Sequence, residues 1–376
     1  MAWMVWLIPM LVIGAMVIHN PWKRTVTQLY HEASSNWSAG KDLYRGPAGM
    51  NYLPHFALLF KPFQLLPVPL GDLLWRLSAA ALLAFGIWRW IKPSSGDLAP
   101  RTFLWASVLA LPLCLGALRN GQSNAMFSAL TLNAVGSLSR KQWWTSAGLI
   151  VLALAIKPLG LVLLLLAPVV YTPLRWRCAL AIVGFAAFPF LFADPGYVLA
   201  QHQAFLANIK SCADVTQHRF ADINGIFRTF GAPIPPAASK WLRVFAGMVT
   251  AGLWWLGARR LPEPSRALWL YVLATSYLML FNPMNEFNSY VIFGPAAALW
   301  SACLMAKTDY RRLGWITAAM LLSMGLLPTL LRPFFGNFFA LFWHPLMTAG
   351  FISLLTWHVL RPQEAAQSWL VGDALR

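Results

Sequence analysis

The sequence predicts an all-α, polytopic integral membrane protein, and three observations carry that prediction. Of its 376 residues, 59% are hydrophobic and only 11% charged, more apolar surface than a soluble domain of this length can hide. The apolar residues gather in runs of roughly 17 to 20, the length a helix needs to cross the hydrocarbon with its backbone groups bonded internally. The 29 Lys and Arg, against 12 Asp and Glu, fall as short pairs between those runs. That dispersal fits positive-inside loops and excludes the continuous basic patch of a nucleic-acid partner.

In chain order, the expected spans are residues 2 to 19, 72 to 91, 102 to 118, 123 to 139, 142 to 156, 158 to 172, 176 to 193, 240 to 258, 266 to 282, 288 to 306, 313 to 331 and 340 to 360. That is about twelve membrane helices, the fifth and sixth being short. The run from Ala2 to Ile18 lacks a basic leader and a small-residue cleavage site, so it reads as a retained first helix. Trp88, Trp90, Trp143, Trp144 and Trp176 mark the ends of runs, as interfacial aromatic belts do. Cys114, Cys178, Cys212 and Cys303 have no CxxC or other metal-ligand spacing, so neither a disulfide framework nor a zinc site is indicated.

With both termini placed in the cytoplasm, the inner junctions are Lys92 to Arg101, Arg140-Lys141, Arg175 to Arg177, Arg259 to Arg266, Lys307 to Arg312 and the tail from Arg361. All are basic. The outer junctions are residues 20–71, Arg119 to Gln122, Lys157-Pro158, residues 194–239, Asn282 to Phe287 and Arg332 to Asn337, and these hold polar residues that topology does not explain. Residues 1–376 thus form one transmembrane domain with two long extracytoplasmic loops. The first, 20–71, should carry a helix over Thr27 to Ala39 and then an interfacial or re-entrant piece, Phe56 to Leu70, broken by Pro62, Pro67 and Pro69. The second, 194–239, carries Asp194, Asp214, Asp222 and Asn224 ahead of Pro233 to Pro236. No internal repeat suggests the two halves of a transporter.

Outer carboxylates are few. Glu32 and Asp42 are candidate general bases, with a solvated helix face and a turn as the plainer explanations. Tyr52 and His55 sit where they can bond sugar hydroxyls or a phosphate, although an interfacial loop anchored by Pro54 accounts for them equally. Arg119, Asn120 and Gln122 belong to a donor-rich hexad ending at Asn124, an expensive group at a membrane edge unless paired or lining a polar cavity. Lys157 interrupts a long apolar run, and a central cation costs about 2.5 to 3.5 kcal/mol, so it must reach an interface or an anion such as a phosphate. Asp222, Asn224, Arg228, Asn285, Glu286 and Arg332 complete the outer set; helix-start electrostatics is an equal explanation for Glu286. No nucleotide-binding glycine loop and no carboxylate cluster suited to a divalent metal is present, which leaves an already activated, lipid-borne substrate and no cofactor.

At these residues the chain resembles glycosyltransferase family 87, polytopic enzymes of the GT-C class. The resemblance runs through Tyr30 and Ala33 (Tyr-x-x-Ala), Gly40 and Tyr44, Tyr52-Leu53-Pro54, Asn120-Gly121-Gln122, Lys157-Pro158 and Asn282-Pro283. It implies a GT-C-like fold in the inner (plasma) membrane, with its active face extracytoplasmic. The implied donor is a polyprenyl-phosphate sugar, typically mannose, and the acceptor a glycan or glycolipid, both met among membrane lipids. Arg119, Lys157, Arg228 and Arg332 would offset the donor phosphate. The family's base is an aspartate shortly before Tyr-x-x-Ala, where this chain reads Arg24-Thr25-Val26-Thr27, so Glu32 or Asp42 would substitute. Its late loop often carries Trp and His, where this chain has Glu286 to Ser289. The competing expectations are a flippase for a lipid-linked sugar and an inactive relative serving as a membrane partner.

Overall fold

The computed structural model describes residues 2–44, 50–93, 96–212 and 220–361; Asp214 and the tail beyond Arg361 lie outside them. Among the described residues all regular structure is helical. The helices are α1 (Met4–His19), α2 (Thr27–Ser38), α3 (His55–Gln64), α4 (Val68–Ile91), α5 (Ala99–Arg119), α6 (Ser123–Leu138), α7 (Trp143–Ile156), α8 (Gly160–Val170) and α9 (Leu174–Ala187). They continue with α10 (Pro195–Cys212), α11 (Ile223–Thr229), α12 (Pro236–Arg260), α13 (Ser265–Phe281), α14 (Gly294–Met305), α15 (Arg311–Leu330), α16 (Arg332–Phe335) and α17 (Phe338–Leu360).

Each apolar run read from the sequence holds a helix. Five segments, Val68–Ile91, Gly96–Arg119, Leu174–Leu191, Arg311–Leu330 and Phe338–Leu360, are long and apolar enough to cross a membrane. Shorter apolar helices, α1, α7, α8, α13 and α14, accompany them. Pro62 lies inside α3, and the break in this piece falls after it, at Pro67 and Pro69. They start α4, where a missing N–H would have had no helical partner in any case. α3 is a separate short helix whose His55, Phe56, Ala57 and Phe60 are buried against α2 and α4.

The centre is α6, whose residues are all buried, flanked by α4 and α7. Two of its polar residues tie it to neighbouring segments: Ser128 Oγ donates to Val291 O (2.8 Å) and Asn133 Nδ2 to Leu82 O (3.0 Å). Those bonds fix the register of α6 and therefore the position of Ser123 and Asn124 at its N-terminus. At its other end Arg89 Nη1 donates to Ser137 Oγ (3.1 Å), so this end carries basic residues. Arg177 lies 4.3 Å over the ring of Trp176 and Arg361 3.4 Å over Trp357, a pairing of cation and aromatic that suits an interfacial belt. Peripheral helices turn apolar side chains outward, among them Leu11 and Val12 on α1 and Leu180 and Val183 on α9, the complement of a lipid environment.

Candidate active site

The Asn120-Gly121-Gln122 turn between α5 and α6 organises the site. Gly121 has φ +65°, and a Cβ there would lie 2.6 Å from Thr27 Cγ2 and 2.9 Å from Arg76 Cζ. Only glycine fits both the conformation and the space. The turn is held by Trp75 Nε1 donating to Gly121 O (2.9 Å), Arg76 Nε to Arg119 O (3.2 Å) and Val26 N to Asn120 O (3.0 Å).

Beneath it lies a carboxylate that the sequence reading did not single out. Asp72, near the start of α4 and fully buried, accepts from Thr27 Oγ1 (2.5 Å) and His31 Nε2 (2.9 Å), with Arg76 Nη1 at 3.4 Å. Arg76 also donates to Thr25 Oγ1 (2.8 Å). An aspartate from α4 is thus delivered against Thr27. Its signal in the sequence was the Asp72/Arg76 pair one helical turn apart at the head of an apolar span.

A second, more open layer lies along the same segment. Ser123 N donates to Tyr30 OH (3.0 Å), which is 3.3 Å from Tyr52 OH. Gln122 Nε2 donates to Glu286 Oε2 (3.3 Å). Ser289 Oγ accepts from Glu286 N (3.1 Å) and from Asn124 Nδ2 (3.3 Å), and Asn124 Oδ1 accepts from Lys157 Nζ (2.5 Å). Tyr30, Tyr52, Gln122, Asn124, Lys157 and Glu286 thus form one polar surface in which Glu286 is exposed. Burial pushes the Lys157 ammonium down to about 8, with Glu286 opposing the shift. Burial also raises the phenols of Tyr30 and Tyr52, so both remain donors.

The other residues singled out from the sequence lie apart from this surface or support it. Glu32 points to solvent and accepts from Gln28 Nε2 (3.1 Å). Asp42 Oδ1 accepts from Tyr44 N (2.9 Å), closing a turn. His55 is buried, donates to Phe185 O (2.8 Å) and stacks on the Phe185 ring. Asn120 contributes its carbonyl to the turn. Asn285 is buried; its Nδ2 donates to Leu278 O (2.7 Å) and Met279 O (2.8 Å), tying the late loop to the end of α13. Asp222 caps α11 by accepting from Gly225 N (2.7 Å), and burial raises its carboxyl to about 6. Asn224 Oδ1 accepts from Ile234 N (2.8 Å), and Arg228 lies on the last turn of α11. Ala221 N donates to Asn285 O (2.8 Å), so this second loop docks beside Glu286. Arg332 heads α16 and makes no hydrogen bond to these groups among the described residues.

The architecture defines a class, an all-α polytopic membrane protein with a polar site assembled from segments between its helices. The glycosyltransferase family 87 model matches residues 51–284, more than half of the chain, and the protein belongs to that family. The match takes in Tyr52, Asn120 to Gln122, Lys157 and Asn282-Pro283, and stops just short of Glu286. No curated protein and no solved structure matches the chain.

Proposed function

We propose that the protein moves a sugar from a polyprenyl-phosphate donor to a glycan or glycolipid acceptor on the extracytoplasmic face of the plasma membrane. The observation that carries this reading is the placement of the Lys157 cation and the exposed Glu286 on one surface, Lys157 Nζ being joined through Asn124 and Ser289 to the Glu286 backbone N–H while Gln122 holds the Glu286 carboxylate. An acceptor hydroxyl attacks the anomeric carbon, the bond from that carbon to the phosphate oxygen breaks, and the phosphate departs on its lipid. Glu286 takes the hydroxyl proton, and Lys157 meets the charge that develops on the phosphate. Gln122, Asn124 and Tyr52 orient the sugar through amide and phenol groups. Glu286 is preferred to Glu32 and Asp42 as base because it alone of the three is bonded into this surface.

The test uses purified protein in nanodiscs with polyprenyl-phosphate-mannose and a lipid acceptor extract. Transfer is expected, and Glu286→Gln should lower it by about 10²-fold or more. Full activity in that variant would remove Glu286 from the role of base, whereas substrate crossing liposomes without transfer would replace the enzyme by a flippase.

A further inference from the structure

A second polar feature shares no residue with the Lys157–Glu286 surface. At the end of α1, where the chain turns toward α2, a cavity of about 240 Å³ opens beside the Asn120 turn. Ile13, Met16 and Val17 of α1 give it an apolar wall, and His19, Lys23, Arg24 and Arg119 give it nitrogen donors; no carboxylate lines it. Among the described residues, Lys23, Arg24 and Arg119 form no ion pair with an acid. The Arg119 Nε is buried without a partner. Arg24 is held at φ +53°, the left-handed region that side chains rarely adopt, and this brings its side chain into the cavity rim.

Permanent cations converging at a membrane edge repel one another and are costly unless an anion joins them. The wall opposite is apolar, and α1 turns Leu11, Val12, Met16 and Ile18 to the outside. The ligand that satisfies both halves is an amphiphilic anion. We propose that this cavity binds the phosphate monoester headgroup of a lipid, whose chain lies along α1. A monoester carries up to two negative charges at neutral pH and a phosphodiester one, so a site of this many cations discriminates in favour of the monoester. Resting on the reading above, this makes the cavity a holding site for the spent carrier after the sugar has left. The donor itself, a diester, binds here more weakly.

The experiment is native mass spectrometry of the full chain in detergent micelles, with farnesyl phosphate, farnesol and phosphatidylglycerol as probes. Farnesyl phosphate should bind at least about tenfold more tightly than either of the others, with an affinity that falls as salt rises. The Lys23→Ala/Arg24→Ala double variant, and Arg119→Gln separately, should each weaken farnesyl phosphate by about tenfold while retaining the parental melting profile. Equal binding of farnesol would overturn the proposal, as would parental affinity in both variants. Equal competition by phosphatidylglycerol would reassign the cavity to bilayer phospholipid and overturn the monoester preference. Binding is read without turnover, so a protein that transfers sugar yet ignores farnesyl phosphate refutes this inference alone. One that binds it but transfers nothing refutes only the transferase reading.

Discussion

Removing the charge from Asp72 tests the lower layer of the site most directly. Asp72 is 0% exposed and Arg76 1%, and the carboxylate collects Thr27 Oγ1 at 2.5 Å, His31 Nε2 at 2.9 Å and Arg76 Nη1 at 3.4 Å. Asp72→Asn keeps the shape but turns an amide donor toward one of these donors and leaves the Arg76 guanidinium buried without its counter-charge. Breaking one side of such a pair costs about 3–5 kcal/mol. Replacing both partners by apolar residues avoids the stranded charge, so Asp72→Leu/Arg76→Met should recover most of that loss. It should not recover all of it. Arg76 also donates to Arg119 O and Thr25 Oγ1, and each lost bond costs about 1 kcal/mol. Unfolding in mixed micelles, followed by tryptophan fluorescence, should show single variants each down by about 3–5 kcal/mol and the double by about 1–3 kcal/mol. Strict additivity of the two single effects would refute the argument that the pair acts as one buried unit.

Three further outcomes follow from the same geometry. Because the Lys157 ammonium titrates near 8 in the folded protein, transfer that depends on its positive form should fall about tenfold per pH unit above that point, and Lys157→Arg should remove the alkaline limb. Gly121→Ala meets both a left-handed φ and a Cβ 2.6 Å from Thr27 Cγ2, so it should cost about 2 kcal/mol or more in the same unfolding assay and reduce transfer with it. For Asp222, the folded pKa of about 6 lies above its ordinary 3.8, so the folded state holds a proton that the unfolded chain has released. Its contribution is therefore favourable below about pH 4 and is lost as pH rises through 6. Asp222→Asn should keep the cap and abolish that pH dependence, whereas Asp222→Ala should cost about 1 kcal/mol in a stability titration.

The apolar runs were legible because burial in lipid and burial in protein select the same side chains, and each run holds a helix. The same degeneracy hid which runs face lipid and which face protein, since α6 lies wholly inside the bundle. In α2 the missed residue was one step away. Thr27, Tyr30, His31, Ser34 and Trp37 recur at helical spacing and are buried, which leaves Glu32 outward. That phase was present in the sequence; Glu32 attracted attention because it was charged. Asp72 with Arg76 was likewise a local signal. The links from Gln122 to Glu286 and from Lys157 to Asn124 were not legible, because they join junctions far apart in the chain whose approach depends on the packing of α6, α7 and α13.

The two layers explain why the segment from Arg119 to Asn124 is polar throughout. Its backbone faces the buried pair: Arg119 O, Asn120 O and Gly121 O receive donors from Arg76, Val26 and Trp75. The side chains of Gln122 and Asn124 point the other way, into the second layer, where Gln122 meets Glu286 and Asn124 meets Lys157. A substitution below the turn must therefore move stability and chemistry together, because the turn shifts when its anchors go. A substitution above it, such as Glu286→Gln, removes a charge but keeps a side-chain oxygen for the capping box that Glu286 makes with Ser289, and should alter chemistry with little change in stability. That division separates residues that build the site from residues that act in it. It places Asp72, the carboxylate held by Thr27, His31 and Arg76, among the builders because no part of it reaches the surface.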